Sequence, residues 1–219
     1  MNQKTDCVLR LFLVRHGETA ANTEMRYLGS RDDPLTERGV QQADLLAISF
    51  EKLPITAVIS SPMRRAVETA APIARKCGLA FRTDPRLREG GFGEWEGLTR
   101  REVQVRSPED AFRLERWEED PRCTPPGGES METVQRRVMG LIEEEKERGA
   151  SGSIVLVSHV GPIKALLAAA LDVPISAVRR FFLDPATVSV VDWGVPPLLR
   201  LFNSHGHLGW DRARWMIRT

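Results

Sequence analysis

The stretch LVRHGETAAN (residues 13–22) sets Arg15 and His16 between an apolar run and Gly17. Two other places repeat the arrangement. AVISSPMRR (57–65) leads an apolar run into Ser60, Ser61, Arg64 and Arg65, and SIVLVSHVG (153–161) leads another into Ser158, His159, Val160 and Gly161. In open α/β sheets ligands bind beyond the carboxyl ends of the strands, so three such ends can bring two histidines and two or more arginines to one spot. A lone histidine after a strand is usually structural; the coincidence of three strand ends is what carries weight. This set suits a phosphoryl group. Its loose, highly charged transition state needs positioning and fixed donors, which guanidinium forks supply bidentately without losing their charge. A neutral imidazole can attack phosphorus and form a phosphohistidine that water hydrolyses. A carboxylic acid would then protonate the leaving alkoxide, if burial raises its pKa. LREGGFGEWEGL (87–98) offers Glu89, Glu94 and Glu96. Glu89 is favoured because it precedes the pair Gly90-Gly91, whose backbone can approach a ligand; Glu94 and Glu96 flank Trp95 as solvated groups.

The elements that would position these residues follow from hydrophobic periodicity. Continuously apolar, β-rich runs occur at 8–14, 57–60, 153–158, 186–191 and 198–202. Helical patterns lie between them. One follows Thr36 through ERGVQQADLLAISFEKL; a second takes Ser61 as N-cap with Pro62 at its first position and stops at Gly78; a third begins near Ser130 and ends at Gly149. The third carries Met131, Val134, Val138, Leu141 and Ile142 on one face. Strands that are apolar without alternation, separated by helices, predict a three-layer α/β/α sandwich with a largely parallel central sheet. The chain is expected to form a single domain, 1–219. Segment 85–129 breaks the rhythm with four glycines, two short helical patterns and PPGG; its tryptophans Trp95 and Trp117 argue for a packed excursion over one end of the sheet.

Bulk composition restricts the partners. Of 219 residues, 42% are hydrophobic and 28% charged, enough for one sizeable core. Lys plus Arg total 31 against 30 acids, a net charge of +1, so no long-range attraction for nucleic acid or an anionic membrane is expected. Arginine supplies 26 of the basic residues, and doublets such as Arg100-Arg101 and Arg179-Arg180 read as mixed, solvated surface. Cys7, Cys77 and Cys123 form neither a CxxC nor a disulfide framework, the polar start MNQKTD resembles no signal peptide, and no apolar run could span a membrane. A cytoplasmic protein is expected.

Taken together, VRHGETAAN (14–22), DDPLTERGVQQA (32–43), SSPMRRAVETA (60–70), LREGGFGEWEGLT (87–99), PPGGES (125–130) and VSHVGPIK (157–164) resemble, in order, the motifs of the histidine phosphatase superfamily, the branch that includes cofactor-dependent phosphoglycerate mutases. NSHGHL (203–208) is similar to a weaker C-terminal signature. The resemblance implies His16 as nucleophile and Arg15 and Arg65 as phosphate clamps, Arg65 because it is the arginine directly before alanine. It also implies Glu89 as proton donor, His159 as a second phosphate contact, Asn22 as a further one, a phosphoglycerate mutase-like fold and catalysis without metal or cofactor. Val160 departs from the glycine common among relatives, and its branched side chain narrows the pocket. Mutases of the family follow the glutamate with an arginine and a bulky polar residue and carry a long basic insertion; Gly90 and Gly91 supply no such donors and 219 residues leave little room. A phosphomonoesterase acting on a small phosphate ester is therefore favoured over a mutase. YLGSRDDPLTERG and PPGGES look like the group that includes α-ribazole phosphatases and broad-specificity enzymes. A non-catalytic phosphate-binding module is disfavoured, since nucleophile, clamps and acid are all kept. His205 and His207 are given a structural role in preference to a metal site, Ser61 a capping role, and a homodimer is compatible with the sequence. Two pairs are left open: Glu18 and Thr19 either line the pocket or close the loop after Gly17, and Glu129 and Ser130 either start a helix or touch substrate.

Overall fold

Six strands form one sheet in the order β3-β2-β4-β1-β5-β6: β1 is Leu9–Arg15, β2 Ile55–Ser60, β3 Phe81–Thr83, β4 Gly152–Ser158, β5 Val188–Trp193 and β6 Leu198–Ser204. This computed structural model describes residues 9–209. Cys7, the polar start and the first residue of the predicted 8–14 strand lie outside them. Strands β3, β2, β4 and β1 run parallel; β5 is antiparallel to β1, and β6 to β5. The sheet is thus largely parallel, as expected, with an antiparallel margin. The sequence pattern missed β3, which has only three residues.

Seven α-helices are described: α1 Ala20–Thr23, α2 Glu37–Phe50, α3 Arg64–Lys76, α4 Arg100–Arg106, α5 Pro108–Glu119, α6 Met131–Glu147 and α7 Val160–Ala170. The central strands bury both faces, and their side chains alternate between two apolar clusters. Leu11 and Leu13 of β1 and Ile154 and Leu156 of β4 join Val134, Val138 and Leu141 of α6 and Ile163 and Leu166 of α7. Val14 of β1 and Val155 and Val157 of β4 join Leu46 and Phe50 of α2 and Ala66, Ala70 and Ile73 of α3 on the opposite face. Helices therefore cover the sheet on both sides, giving the three-layer sandwich. Helix α2 is capped by Thr36, whose hydroxyl accepts from Gly39 N–H, and α6 by Ser130, which accepts from Thr133 N–H. The stops at Gly78 and Gly149 sit at φ +67° and +73°, where glycine avoids the Cβ clash.

One helix start differs from expectation. Helix α3 begins at Arg64, and Met63 is its N-cap without a side-chain bond; Ser61 and Pro62 lie before it. A distant group does the capping: Asp32 Oδ1 accepts from Arg64 N–H at 2.6 Å.

Segment 85–129 carries α4 and α5 and a small core of its own, Trp95, Val103 and Leu114, with Tyr27, Phe92, Leu98 and Trp117 against it. Trp95 is fully buried and donates its indole N–H to Asp110 at 3.0 Å. Tyr27 pins the 26–33 loop to this segment, with Tyr27 N–H donating to Leu98 C=O, Gly97 N–H donating to Tyr27 C=O, and its ring stacked on Phe92 at 4.8 Å. No described helix is long and apolar enough to cross a membrane. Cys77 and Cys123 form no disulfide.

Candidate active site

Strands β2, β4 and β1 are neighbours, so their carboxyl ends open side by side and backbone bonds lace the following loops together. His16 N–H donates to Ser158 C=O, Ser61 N–H to Val157 C=O, and Ala186 N–H to His16 C=O. Arg15, His16, Ser60, Ser61, Arg65, Ser158 and His159 are all buried there. The loop after His16 lies tight on α2: a Cβ on Gly17 would stand 2.6 Å from Gly39 C=O, and one on Gly39 would stand 2.2 Å from Glu18 C=O. Only glycine allows that approach.

The two imidazoles face each other with centroids 5.0 Å apart and planes inclined by 56°. His16 Nδ1 lies 2.7 Å from Gly17 C=O. A carbonyl only accepts, so Nδ1 carries the hydrogen and Nε2 keeps its lone pair in the neutral ring. Burial, then the positive charges of Arg65 and Arg15, hold the His16 pKa well below its ordinary 6.5. His159 has the opposite tautomer. Arg65 Nε–H donates to its Nδ1 at 3.2 Å, leaving Nε2–H to donate to Ser61 Oγ at 2.8 Å. Burial first, then Arg65, His16 and Arg15, keep this ring neutral too.

Arg65 is 1% exposed, and its fork also donates to Arg31 C=O at 2.6 Å and Gly29 C=O at 2.9 Å. Those anchors fix its plane and leave one N–H on each terminal nitrogen for a ligand. Arg15 is held by Leu183 C=O at 2.6 Å. Arg64 pairs with Glu68 at the surface and takes no part. With two guanidinium groups acting on two neutral imidazoles, the site attracts a compact oxyanion.

Glu89 is half-buried, short of full burial, and its Oε1 accepts from Gly90 N–H and Gly161 N–H, each at 2.9 Å. Gly161 is in the first turn of α7, so the Glu89 carboxyl is anchored at that helix's N-terminal end. Arg137 of α6 steadies the same loop, donating to Arg86 C=O and Glu89 C=O while paired with Glu129 at 2.9 Å. The sequence pattern did not single out Arg137.

Several expectations change. Ser61 is the acceptor for His159, so its importance is to that ring and not to a helix cap. Asn22 Oδ1 accepts from Thr19 N–H in a capping box at α1, which leaves its amide N–H groups for a ligand. Glu18 and Thr19 close the loop: Thr36 donates its hydroxyl to Glu18 and its N–H to Glu18 C=O, and Thr19 caps α1. Glu96 is not merely solvated; it accepts from Ser30 and Phe92 N–H groups and ties the 26–33 loop to the excursion. Glu94 is exposed and pairs with Arg106. His205 bonds buried Asp184 at 2.7 Å, His207 bonds Ala186 C=O at 2.8 Å, and no group of three metal-ligating side chains occurs among the described residues.

A cavity of about 480 Å³ opens beside this centre. Glu89, Gly90, Val160 and Gly161 form its inner wall, next to His159; Phe92, Trp117, Glu129, Lys164 and Arg179 are among the residues that complete it. The doublet Arg179-Arg180 reads in the sequence as ordinary mixed surface, but the Arg179 guanidinium stacks 4.4 Å above Trp117 at the cavity. The sequence pattern gives Lys164 no role of its own; its spacing of four from Val160 is the signal that places both on one helix face.

Residues 11–196 match the family described as "Histidine phosphatase superfamily (branch 1)". The chain is 38% identical over 185 residues to phosphoserine phosphatase 1 of Hydrogenobacter thermophilus, covering 84% of this chain and 86% of that one. It is 38% identical over 193 residues to a Yersinia pestis protein named "Probable phosphoglycerate mutase GpmB", covering 88% of each. With a "Bifunctional protein" of Mycobacterium tuberculosis it shares 40% identity over 202 residues, 91% of this chain but 55% of the relative, so it spans about half that protein's length. A solved mycobacterial glucosyl-3-phosphoglycerate phosphatase with VO3 superposes with a TM-score of 0.81 at 32% identity, over 89% of this chain and 98% of that one.

Proposed function

Since the chain belongs to the histidine phosphatase superfamily, we propose that it is a phosphomonoesterase that hydrolyses a small phosphate ester through a phosphohistidine on His16, in one domain whose 85–129 segment covers the site. The observation that carries this reading is the bond from His16 Nδ1–H to Gly17 C=O, which leaves Nε2 unprotonated on a buried ring that feels the charges of Arg65 and Arg15.

Arg15 and Arg65 hold the phosphoryl oxygens and take up the charge that develops on them. Nε2 attacks phosphorus, the P–N bond forms as the P–O bond to the leaving group breaks, and the Glu89 carboxyl gives its proton to the departing alkoxide. With Oε1 engaged by two backbone N–H groups, Oε2 is the oxygen that carries this proton. Glu89, now a carboxylate, takes a proton from water as the water oxygen attacks phosphorus; the P–N bond breaks and inorganic phosphate leaves. His159 orients Arg65 by accepting its Nε–H at Nδ1, and reaches a phosphoryl oxygen by turning its Nε2–H away from Ser61 Oγ. Asn22 offers its amide N–H groups, and Val160 limits the leaving group's width. No step calls for a metal ion.

Hydrolysis is favoured over the mutase reaction because Gly90 and Gly91 add no side-chain donors beside Glu89 to hold a product for return of the phosphoryl group. Phosphate release from p-nitrophenyl phosphate, sugar phosphates, phosphoserine and a ribazole phosphate tests the reading, with His16→Ala alongside. Release that vanishes in the variant, and acid-labile phosphate trapped on His16 by rapid quench, are expected. Isomerisation of 3-phosphoglycerate primed with bisphosphoglycerate, without release from any ester, would mean a mutase.

A further inference from the structure

The residues lining the cavity divide unevenly in how their charges are met. Its three acids are already engaged. Glu129 is paired with Arg137 at 2.9 Å, Glu118 with Arg100 at 2.6 Å, and Glu89 Oε1 with two backbone N–H groups. Its two bases are not. Lys164 has no hydrogen bond or carboxylate within 4 Å among the described residues, and Arg179 has no ion pair, its guanidinium lying over Trp117 and donating to Trp117 C=O. A half-buried ammonium that feels Glu89 only from beyond ion-pair range is costly, and a surface lysine avoids that cost by turning outward. Lys164 is held in the wall on α7 one turn after Val160, beside the proton donor.

We propose that Lys164, with Arg179 behind it, forms a subsite for a second anionic group on the leaving alcohol, so that the preferred esters are those whose alcohol carries a carboxylate or a second phosphate. This rests on the phosphomonoesterase reading above and specifies its substrate class. Lys164 and Glu89, the donor to the leaving oxygen, line the same cavity, so an anion met by Lys164 belongs to the leaving alcohol and not to the transferred phosphoryl group. The cavity volume of about 480 Å³ lies within the range of small-molecule sites and suits a short-chain acid or a small bisphosphate. Unlike the mutase solution, which places its donors directly after the glutamate, the cations here come from α7 and from the turn Ile175–Arg180. Burial draws the Lys164 pKa down to about 8, so the subsite is charged at neutral pH and fades as pH rises past that value. The same placement disfavours a neutral aromatic alcohol, because Arg179 covers a face of Trp117 on which such a ring would stack.

The test is phosphate release, without bisphosphate primer, from two matched pairs: 3-phosphoglycerate against glycerol 3-phosphate, and fructose 1,6-bisphosphate against fructose 6-phosphate. The first member of at least one pair should have kcat/KM ten-fold or more above the second, and the pair that responds tells carboxylate from phosphate. Lys164→Met should bring that ratio to within about three-fold of unity, and Lys164→Arg should restore it. Equal kcat/KM within both pairs, or a ratio that Lys164→Met leaves untouched, overturns the subsite. If none of these four esters nor p-nitrophenyl phosphate releases phosphate with the wild type, the phosphatase reading fails and takes the subsite with it; release from any of them with flat ratios overturns the subsite alone.

Discussion

Gly161→Ala separates the proton donor from the rest of the machinery. A Cβ on Gly161 would stand 2.4 Å from Glu89 Oε1, inside any tolerated contact, while its other near neighbour, Gly90 N, is at 3.8 Å. The backbone at 161 is ordinary helix, where alanine is favoured over glycine by about 1 kcal/mol, and the clash falls on the end of a flexible side chain. The fold should therefore absorb the change with a Tm equal to or slightly above wild type. The carboxyl will not keep its place. Moving away from the Gly161 N–H misplaces the carboxyl, and an ångström of misplacement can cost about 100-fold. Glycerol 3-phosphate, whose alkoxide must be protonated, should lose about 100-fold in kcat/KM. p-Nitrophenyl phosphate, whose phenolate leaves unaided, should lose less than about five-fold. Continuous phosphate release with both esters, beside a thermal melt, measures all three quantities. Equal losses on the two esters, or none on either, would refute Glu89 as the acid, and a lowered Tm would refute the claim that the clash is confined to its side chain.

Four further outcomes can be measured, three of them set by the buried histidines and their partners. Both rings have folded pKa values pushed below 6.5, so the unfolded chain binds protons first as pH falls and stability is lost progressively below about 6.5. Each ring that stays neutral contributes a slope of about 1.4 kcal/mol per pH unit there, which urea unfolding at pH 7.5, 6 and 5 will show; a flat profile would contradict neutral rings. The acid limb of kcat/KM should likewise lie well below pH 6.5. Ser61→Ala strands the His159 Nε2–H donor at a cost of about 1–3 kcal/mol in stability and should lower kcat on every ester, while Ser61→Thr restores both; a normal kcat in the alanine variant would remove Ser61 from the account. EDTA should leave turnover unchanged, and activity abolished by chelation and restored by a divalent ion would show a metal the mechanism omits.

What was legible locally was what local physics decides. Central strands buried on both faces read as continuous apolar runs, and α6 announces itself by Val134, Val138, Leu141 and Ile142 at helical spacing. The arginine before alanine proves to be the buried one, because Arg65 points under the sheet end while Arg64, one position earlier on α3, pairs with Glu68 in solvent. The misses have long-range causes. Ser61-Pro62 imitates a helix start, but α3 begins two residues later because Asp32, from a loop 32 residues away, caps Arg64 N–H, freeing Ser61 to sit beneath His159. Strand β3 is three residues, two of them exposed, with no apolar run to reveal it. Arg137 and Arg179 gain their places through partners 48 and 62 residues away, which no spacing rule encodes.

The two halves of the site are held by different kinds of bond, and that difference assigns them different jobs. His16, Ser61 and Ser158 are tied through backbone hydrogen bonds between strand ends, which no side-chain substitution removes. The cavity is tied through side chains: Glu96 to Ser30, Arg137 to Glu129 and to the carbonyl of Glu89, Arg179 over Trp117. Each of those can be exchanged without disturbing the sheet, so substitutions there are expected to re-rank esters, whereas under the proposed mechanism loss of His16 or of a buried arginine is expected to abolish turnover on all of them. It follows that relatives with the same strand-end residues can differ in substrate. The rank order of substrates for this chain is therefore to be sought in Trp117, Lys164 and Arg179 and not in the histidines.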